Sequence, residues 1–184
     1  MGKVIVEAEV SLDGVMGGEM DFWQQIFQFH SPDVQEYLDN LLLMPDALLC
    51  GRETYEGFAG VWPTREGEMA ERINNMPKYV ASRTLQEPLT WNATLIQGDV
   101  VEEIRKLKGA HGKGLVQYGV GELTQTMLNA HLVDEIRLLV FPFTFGKGPR
   151  IFEQMGVHTL RLVETKTFSS GVVALHYEPQ TETR

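Results

Sequence analysis

Cysteine is nearly absent: the one thiol, Cys50, excludes an internal disulfide, and its apolar neighbours mark it as a small buried hydrophobe rather than a nucleophile. Basic residues are scarce as well, 16 Lys and Arg against 25 Asp and Glu, which leaves a formal net charge of -9. A chain of that sign has no broad attraction for nucleic acid or an anionic membrane. Any anionic ligand must therefore be held by a local basic site, and the positions of the few arginines tell more than their number. Long apolar runs are missing too. Leu41-Leu-Leu-Met44 and Leu138-Leu-Val-Phe141 fall far short of the roughly 18–20 residues of a membrane span. The stretch from Lys3 to Val10 places acidic residues inside its apolar alternation, where a signal peptide would have an unbroken core. A cytoplasmic location with no membrane segment is the expectation. His30, His111, His131, His158 and His176 are dispersed, without His-x-x-x-His or Cys-x-x-Cys spacing, so no metal site is expected. A Gly-x-Ser-x-Gly elbow is lacking, which removes the usual hydrolase nucleophile.

What is there is the material of a globular core. At 184 residues, with 43% hydrophobic and 22% charged, the chain is long and apolar enough for one domain, taken as 1–184. Short β-branched runs alternate with helical-period segments, which predicts an α/β architecture. Lys3 to Val10 reads as a first strand. Ser31-Pro32-Asp33 supplies a cap, a first-turn proline and an acidic residue for a helix to about Leu43. Asp46–Cys50, Lys78–Ala81, Thr94–Ile96 and Leu115–Tyr118 are further strands, with helical segments near 53–58, 66–75, 100–108 and 122–130. The last third changes character: 134–141, 158–168 and 172–177 are strands with little helix between them. Ser169-Ser-Gly171 is a hairpin-type turn, so the final pair should be antiparallel.

Ligands of an open α/β sheet collect at the carboxyl ends of its parallel strands. Three segments fall at such ends: Gly51-Arg52-Glu53-Thr54, Ser82-Arg83-Thr84 and Gly119-Val-Gly121. A lone Gly-x-Gly at a strand–helix junction reads equally as a plain turn. Arg52 and Arg83 shift that balance, because guanidinium groups suit a phosphate and both stand just beyond a buried strand. A standard Rossmann arrangement fails on order, since it wants its glycines after the first strand, where this chain has Ser11-Leu-Asp-Gly14. If a dinucleotide binds, the basic residues argue for the 2′-phosphorylated form.

Ser11-Leu-Asp-Gly14, Leu49-Cys-Gly-Arg-Glu-Thr-Tyr-Glu-Gly-Phe58, Lys78-Tyr-Val-Ala-Ser-Arg-Thr84, Gly119-Val-Gly-Glu-Leu123, Leu132-Val-Asp-Glu135 and Phe145-Gly-Lys-Gly-Pro-Arg-Ile-Phe152 together resemble the dihydrofolate-reductase-like family. The chain looks like a stand-alone protein similar to the reductase domain of bifunctional riboflavin-biosynthesis deaminase/reductases. The resemblance implies a mostly parallel central sheet of about eight strands, antiparallel C-terminal strands, helices on both faces and an NADPH site on the carboxyl edge. By that resemblance Gly51, Arg52 and Thr54 would meet cofactor phosphates, and Ser82 and Arg83 the 2′-phosphate. Gly119, Val120, Gly121, Glu122 and Leu123 would cradle the pyrophosphate through backbone N–H groups. Val120 stands where the family pattern has a small or hydroxyl residue. Asp13 would lie beside the nicotinamide, and Asp33 falls near the helical carboxylate of true dihydrofolate reductases; these are the candidate catalytic groups. Met16 to Trp23 suggests a lid, and the Gly146-Lys147-Gly148 loop a substrate-phosphate contact. The implied activity is hydride transfer from NADPH to a small pterin-, ribosylaminopyrimidine- or carbonyl-type substrate, by a protein expected to form a homodimer. Rival readings are a nucleotide-binding module without catalysis and a dimeric assembly protein.

Overall fold

The computed structural model describes residues 2–18, 20–153 and 155–180. Its centre is an eight-stranded sheet of order β4-β3-β2-β5-β1-β6-β8-β7, built from β1 (Val4–Ser11), β2 (Ala47–Gly51), β3 (Lys78–Ala81), β4 (Ala93–Leu95), β5 (Leu115–Tyr118), β6 (Glu135–Phe141), β7 (Leu160–Thr167) and β8 (Val173–Pro179). The strands from β4 through β6 are parallel, whereas β8 runs antiparallel to β6 and β7 antiparallel to β8. This is the α/β sheet with antiparallel C-terminal strands that the sequence predicts.

Among the described residues six α-helices cover the two faces: α1 (Met20–Gln28), α2 (Pro32–Leu43), α3 (Arg52–Val61), α4 (Glu68–Asn75), α5 (Val100–Ala110) and α6 (Glu122–Asn129). Alternation along β1 decides which core each residue joins, because successive side chains point to opposite faces. Val4, Val6, Ala8 and Val10 pack with Ile104 of α5 and Met127 and Leu128 of α6. Ile5, on the other face, packs with Leu48, Cys50, Val80, Tyr55 of α3 and Ile73 of α4. Farther along that same face, Leu139 and Phe141 pack with Phe22 and Ile26 of α1 and Val34 of α2. The second face therefore carries two apolar cores, and the residues of β1 between them are Glu7 and Glu9.

The segment read as a lid is half helix. Phe22 and Ile26, four apart on α1, are fully buried, and the Phe22 ring meets Trp23 and Phe145 edge-on. Burying two such side chains contributes roughly 1.5–3 kcal/mol each, which anchors the segment from Phe22 onward. Among the described residues no helix is long and apolar enough to cross a membrane.

Candidate functional site

The strand connections place a crevice at the carboxyl edge. After β5 the chain enters α6 on one face, whereas after β2 and β1 it enters α3 and α1 on the other. Neighbouring strands whose connections diverge leave an opening outside their carboxyl ends. Gly51–Thr54, Ser82–Thr84 and the Gly119–Leu123 bend all border it.

The bend needs its glycines for different reasons. Gly119 has φ +86, which a side chain tolerates poorly, and a Cβ there would lie 3.5 Å from Met16 Cε and 3.7 Å from Thr54 Oγ1. Gly121 is extended, and a Cβ there would have nothing within 4 Å, so the space above it is open. The amides of the bend are unequally available. Gly119 N–H donates to the Glu7 carbonyl at 2.7 Å as part of the sheet, and Gly121 N–H donates to Thr124 Oγ1 at 3.2 Å. Val120 N–H faces Met16 Sδ at 3.3 Å, a weak acceptor that an oxyanion displaces readily. Glu122 and Leu123 open α6, where the first amides have no intrahelical acceptor. An open glycine surface, a helix N-terminus and a weakly engaged amide fit a pyrophosphate.

The arginines flank this bend on its β3 side. Arg52 bonds Glu56 at 3.0 Å through Nε and Thr84 Oγ1 at 3.0 Å through Nη1, tying α3 to the loop after β3. Ser82 Oγ accepts from the Thr84 and Leu85 amides and so shapes that loop. Arg83 reaches across to Glu122 at 3.0 Å, with both side chains almost fully exposed. Thr54 Oγ1 donates to the Tyr118 carbonyl at 3.2 Å, fixing α3 beside the bend. Cys50 is fully buried, and burial pushes its thiol up to about 12, so it stays protonated at neutral pH.

The two aspartates serve the framework in this arrangement. Asp13 accepts from Ser11 Oγ at 2.7 Å and from the amides of Phe145 and Gly146 at 3.0 and 2.9 Å, clasping the loop after β1 to the loop after β6. Those three bonds bring its carboxyl down to about 2. Asp33 is not brought to the crevice's bend. Its carboxylate accepts from Ser31 Oγ at 2.5 Å and from the Ser169 amide and hydroxyl, both at 2.9 Å, joining α2 to the β7–β8 turn. The Ser31 and Ser169 bonds hold it well below the usual carboxylate range, so at neutral pH it carries no proton to donate. Lys147, in the glycine-rich loop after β6, pairs with Asp21 of α1 at 3.1 Å.

One feature of the crevice escaped the sequence reading. Glu7 is 2% exposed and its Oε1 has no hydrogen-bond partner, while Glu9 lies two residues on, with its Oε1 3.5 Å from His30 Nε2. Burial, reinforced by the Glu9 charge, pushes the Glu7 carboxyl well above its ordinary range. The signal was available: two acids interrupt an otherwise apolar strand on one face. Recesses of about 290 Å³, lined by Lys108 and His131, and about 470 Å³, lined by Asp46 and Arg72, lie instead at the amino ends of the strands. Among the described residues, no group of three or more His, Cys, Asp or Glu could hold a metal ion.

A family model described as the RibD C-terminal domain matches residues 2–174. The uncharacterised protein YyaP of Bacillus subtilis (strain 168) is 32% identical over 186 residues, spanning 95% of this chain and 94% of YyaP. A Shewanella sp. PV-4 protein named for riboflavin biosynthesis superposes with a TM-score of 0.77 at 21% identity, over 97% of this chain and 99% of that one. A pyrimidine reductase-like protein from Corynebacterium diphtheriae gives 0.67 at 12% identity, covering 98% and 93%. Acinetobacter baumannii RibD also gives 0.67, at 15% identity, with 98% of this chain matched to 59% of that one. At such identities the structural likenesses speak for the fold.

Proposed function

Because the chain belongs to the RibD C-terminal domain family, we propose that it is an NADPH-dependent reductase acting on a small pterin-like, ribosylaminopyrimidine-like or carbonyl substrate. The observation that carries this reading is the bend from Gly119 to Leu123: open above Gly121, ending in a helix N-terminus, and flanked by Arg52 and Arg83. When bound, the cofactor supplies a hydride and its two electrons. The chain's own residues bind and orient. The amides of Val120, Glu122 and Leu123 hold the pyrophosphate, and Thr54 fixes the start of α3 beside them. Arg83, with Ser82 shaping its loop, meets the 2′-phosphate, and Arg52 adds charge at the same edge. Asp13 keeps the two loops over the β1 and β6 ends together, which limits access of water to the reacting atoms.

The reading is tested by calorimetric titration of NADPH and NADH, followed by turnover assays on dihydropterins, a ribosylaminouracil phosphate and simple cyclic imines. Saturable NADPH binding with consumption of one substrate class is the expected result. Failure to bind NADPH removes the reading, and binding without turnover on any class favours a module that has lost catalysis. A homodimer belongs to the same proposal. β7 ends the sheet order and exposes Leu162 and Val163, 49% and 42% accessible, on an unpaired edge. Sedimentation velocity that finds only monomer at high concentration discards the dimer.

A further inference from the structure

The polar stripe between the two apolar cores is the least explained feature of the molecule. Glu7 pairs in register with Tyr118 of β5 on one side and with Arg137 of β6 on the other. Arg137 is the neighbour placed to neutralise it, yet its guanidinium is spent on Glu135, at 2.9 and 2.7 Å. Tyr118 offers no cation, and burial keeps its phenol protonated. Around the pair stand also Cys50 on β2, His30 after α1 and Tyr37 on α2, whose phenol lies near Glu7 and interacts with Arg137. An ionised carboxylate with one oxygen buried and unpartnered in such surroundings costs several kcal/mol, so Glu7 keeps its proton. A fold retains an acid there at a cost, and an apolar residue would suit the flanking cores better.

Position gives the acid a use. β5 ends at Tyr118, level with Glu7, and its chain turns away into the glycine bend, whereas β1 continues to Ser11. Glu9 therefore projects from β1 where no β5 strand flanks it, roughly 6.6–6.8 Å beyond Glu7 along the same face. Glu9 and His30 are the partly accessible outer end of the stripe, with side chains 14% and 18% exposed, and the His30 ring is stacked on Phe141 at 5.8 Å.

We propose that Glu7 and Glu9 are the proton-donating pair of this site, with Glu7 the inner positioning residue that stores the proton and Glu9 the group that carries it to substrate. The inference rests on the reductase reading above. Reduction of a C=N bond adds a hydride to carbon and a proton to nitrogen. The hydride and both electrons come from NADPH, which departs as NADP⁺; the proton stored on Glu7 reaches substrate through Glu9, and the pair is left with both carboxyls ionised. A proton from water, relayed by the partly exposed His30, restores it. Burial, and after it the Glu9 charge, hold the proton on Glu7, and that keeps an acid available at neutral pH.

Infrared difference spectra decide the point without any substrate. The wild-type protein at pH 7 should show a protonated-carboxyl C=O band that shifts in D₂O and disappears in Glu7→Gln. With a substrate found by the turnover panel, Glu9→Gln should lower kcat by about 10²–10⁴-fold with KM changed less than about 3-fold. Glu7→Gln should move the alkaline limb of the kcat profile to lower pH, since the buried acid that holds the proton is gone. Both variants should bind NADPH within about 2-fold of wild type. Absence of the band overturns the inference, as does a Glu9→Gln enzyme with more than a tenth of wild-type kcat. Loss of NADPH binding by the wild type would instead strike the reductase reading, so the two failures are separable.

Discussion

Arg83→Ala isolates the chemistry that distinguishes NADPH from NADH. In the free protein Arg83 is paired with Glu122, and because the two side chains are 88% and 87% exposed, that pair is worth only about 0.2–1 kcal/mol. A hydrogen bond between a guanidinium and a 2′-phosphate is worth about 1.5–3 kcal/mol. Binding exchanges the first for the second, a net gain of about 0.5–2.8 kcal/mol. At 1.36 kcal/mol per tenfold, Arg83→Ala should raise the Kd for NADPH by about 2- to 110-fold. NADH lacks the 2′-phosphate and should change by less than about 2-fold. Glu122→Gln should act in the opposite direction: it frees Arg83, takes a negative charge from the start of α6, and tightens NADPH by up to about 5-fold. Calorimetry of both cofactors near 0.15 M salt measures this, and raising the salt should shrink the effect because the groups are exposed. Equal losses for NADPH and NADH in Arg83→Ala, or weaker NADPH binding by Glu122→Gln, would refute the assignment.

Gly119→Ala should destabilise the protein by about 1–2 kcal/mol, because its neighbours lie at ordinary contact distance and the cost comes from φ +86 alone. Differential scanning calorimetry should show a Tm lower by roughly 2–8 °C, and an unchanged Tm would contradict the backbone argument. Glu135→Ala should cost about 3–5 kcal/mol, since it leaves the enclosed Arg137, 13% exposed, without its carboxylate. Burial alone would raise the Glu135 carboxyl, but hydrogen bonds from Lys3 and Arg137 hold it below its ordinary 4.5. A lowered folded value means the carboxylate's stabilisation is present above about pH 4.5 and is lost as pH falls through the folded value. Urea midpoints measured from pH 7 to pH 3 should fall more in wild type than in the variant, where the lowered carboxyls of Asp13 and Asp33 still contribute.

Much of the fold was legible because its signals are local. Alternation along 3–10 and short apolar runs at 46–50 and 115–118 mark strands, and Ser169-Ser-Gly171 marks a turn, whatever the rest of the chain does. α1 was harder to read because Phe22 and Ile26 declare a helix only once Phe141, Phe145 and Val34 supply the surface they pack against. The bend at Gly119 was recognisable from its glycines, but which of its amides stay available was not. Gly119 N–H is claimed by Glu7 and Val120 N–H faces Met16, partners more than a hundred residues away along the chain.

The sequence by itself determined the alternation that sorts β1 into two faces, the Gly-x-Gly bend at 119–121, the scarcity of cations that makes Arg52 and Arg83 informative, and the family to which the motifs point. Only the tertiary structure decided what the acids do. Asp33 reads locally as a first-turn acid, but strand order brings Ser169 to its carboxylate and makes it a latch. Glu7 reads locally as an interruption in a strand. It becomes a lone buried acid because β6 lies beside it with an arginine already committed to Glu135, and because β5 ends level with it and leaves the space beyond open. A protonation state depends on which charges and dipoles surround a group, and strand order, more than sequence proximity, brings those neighbours together.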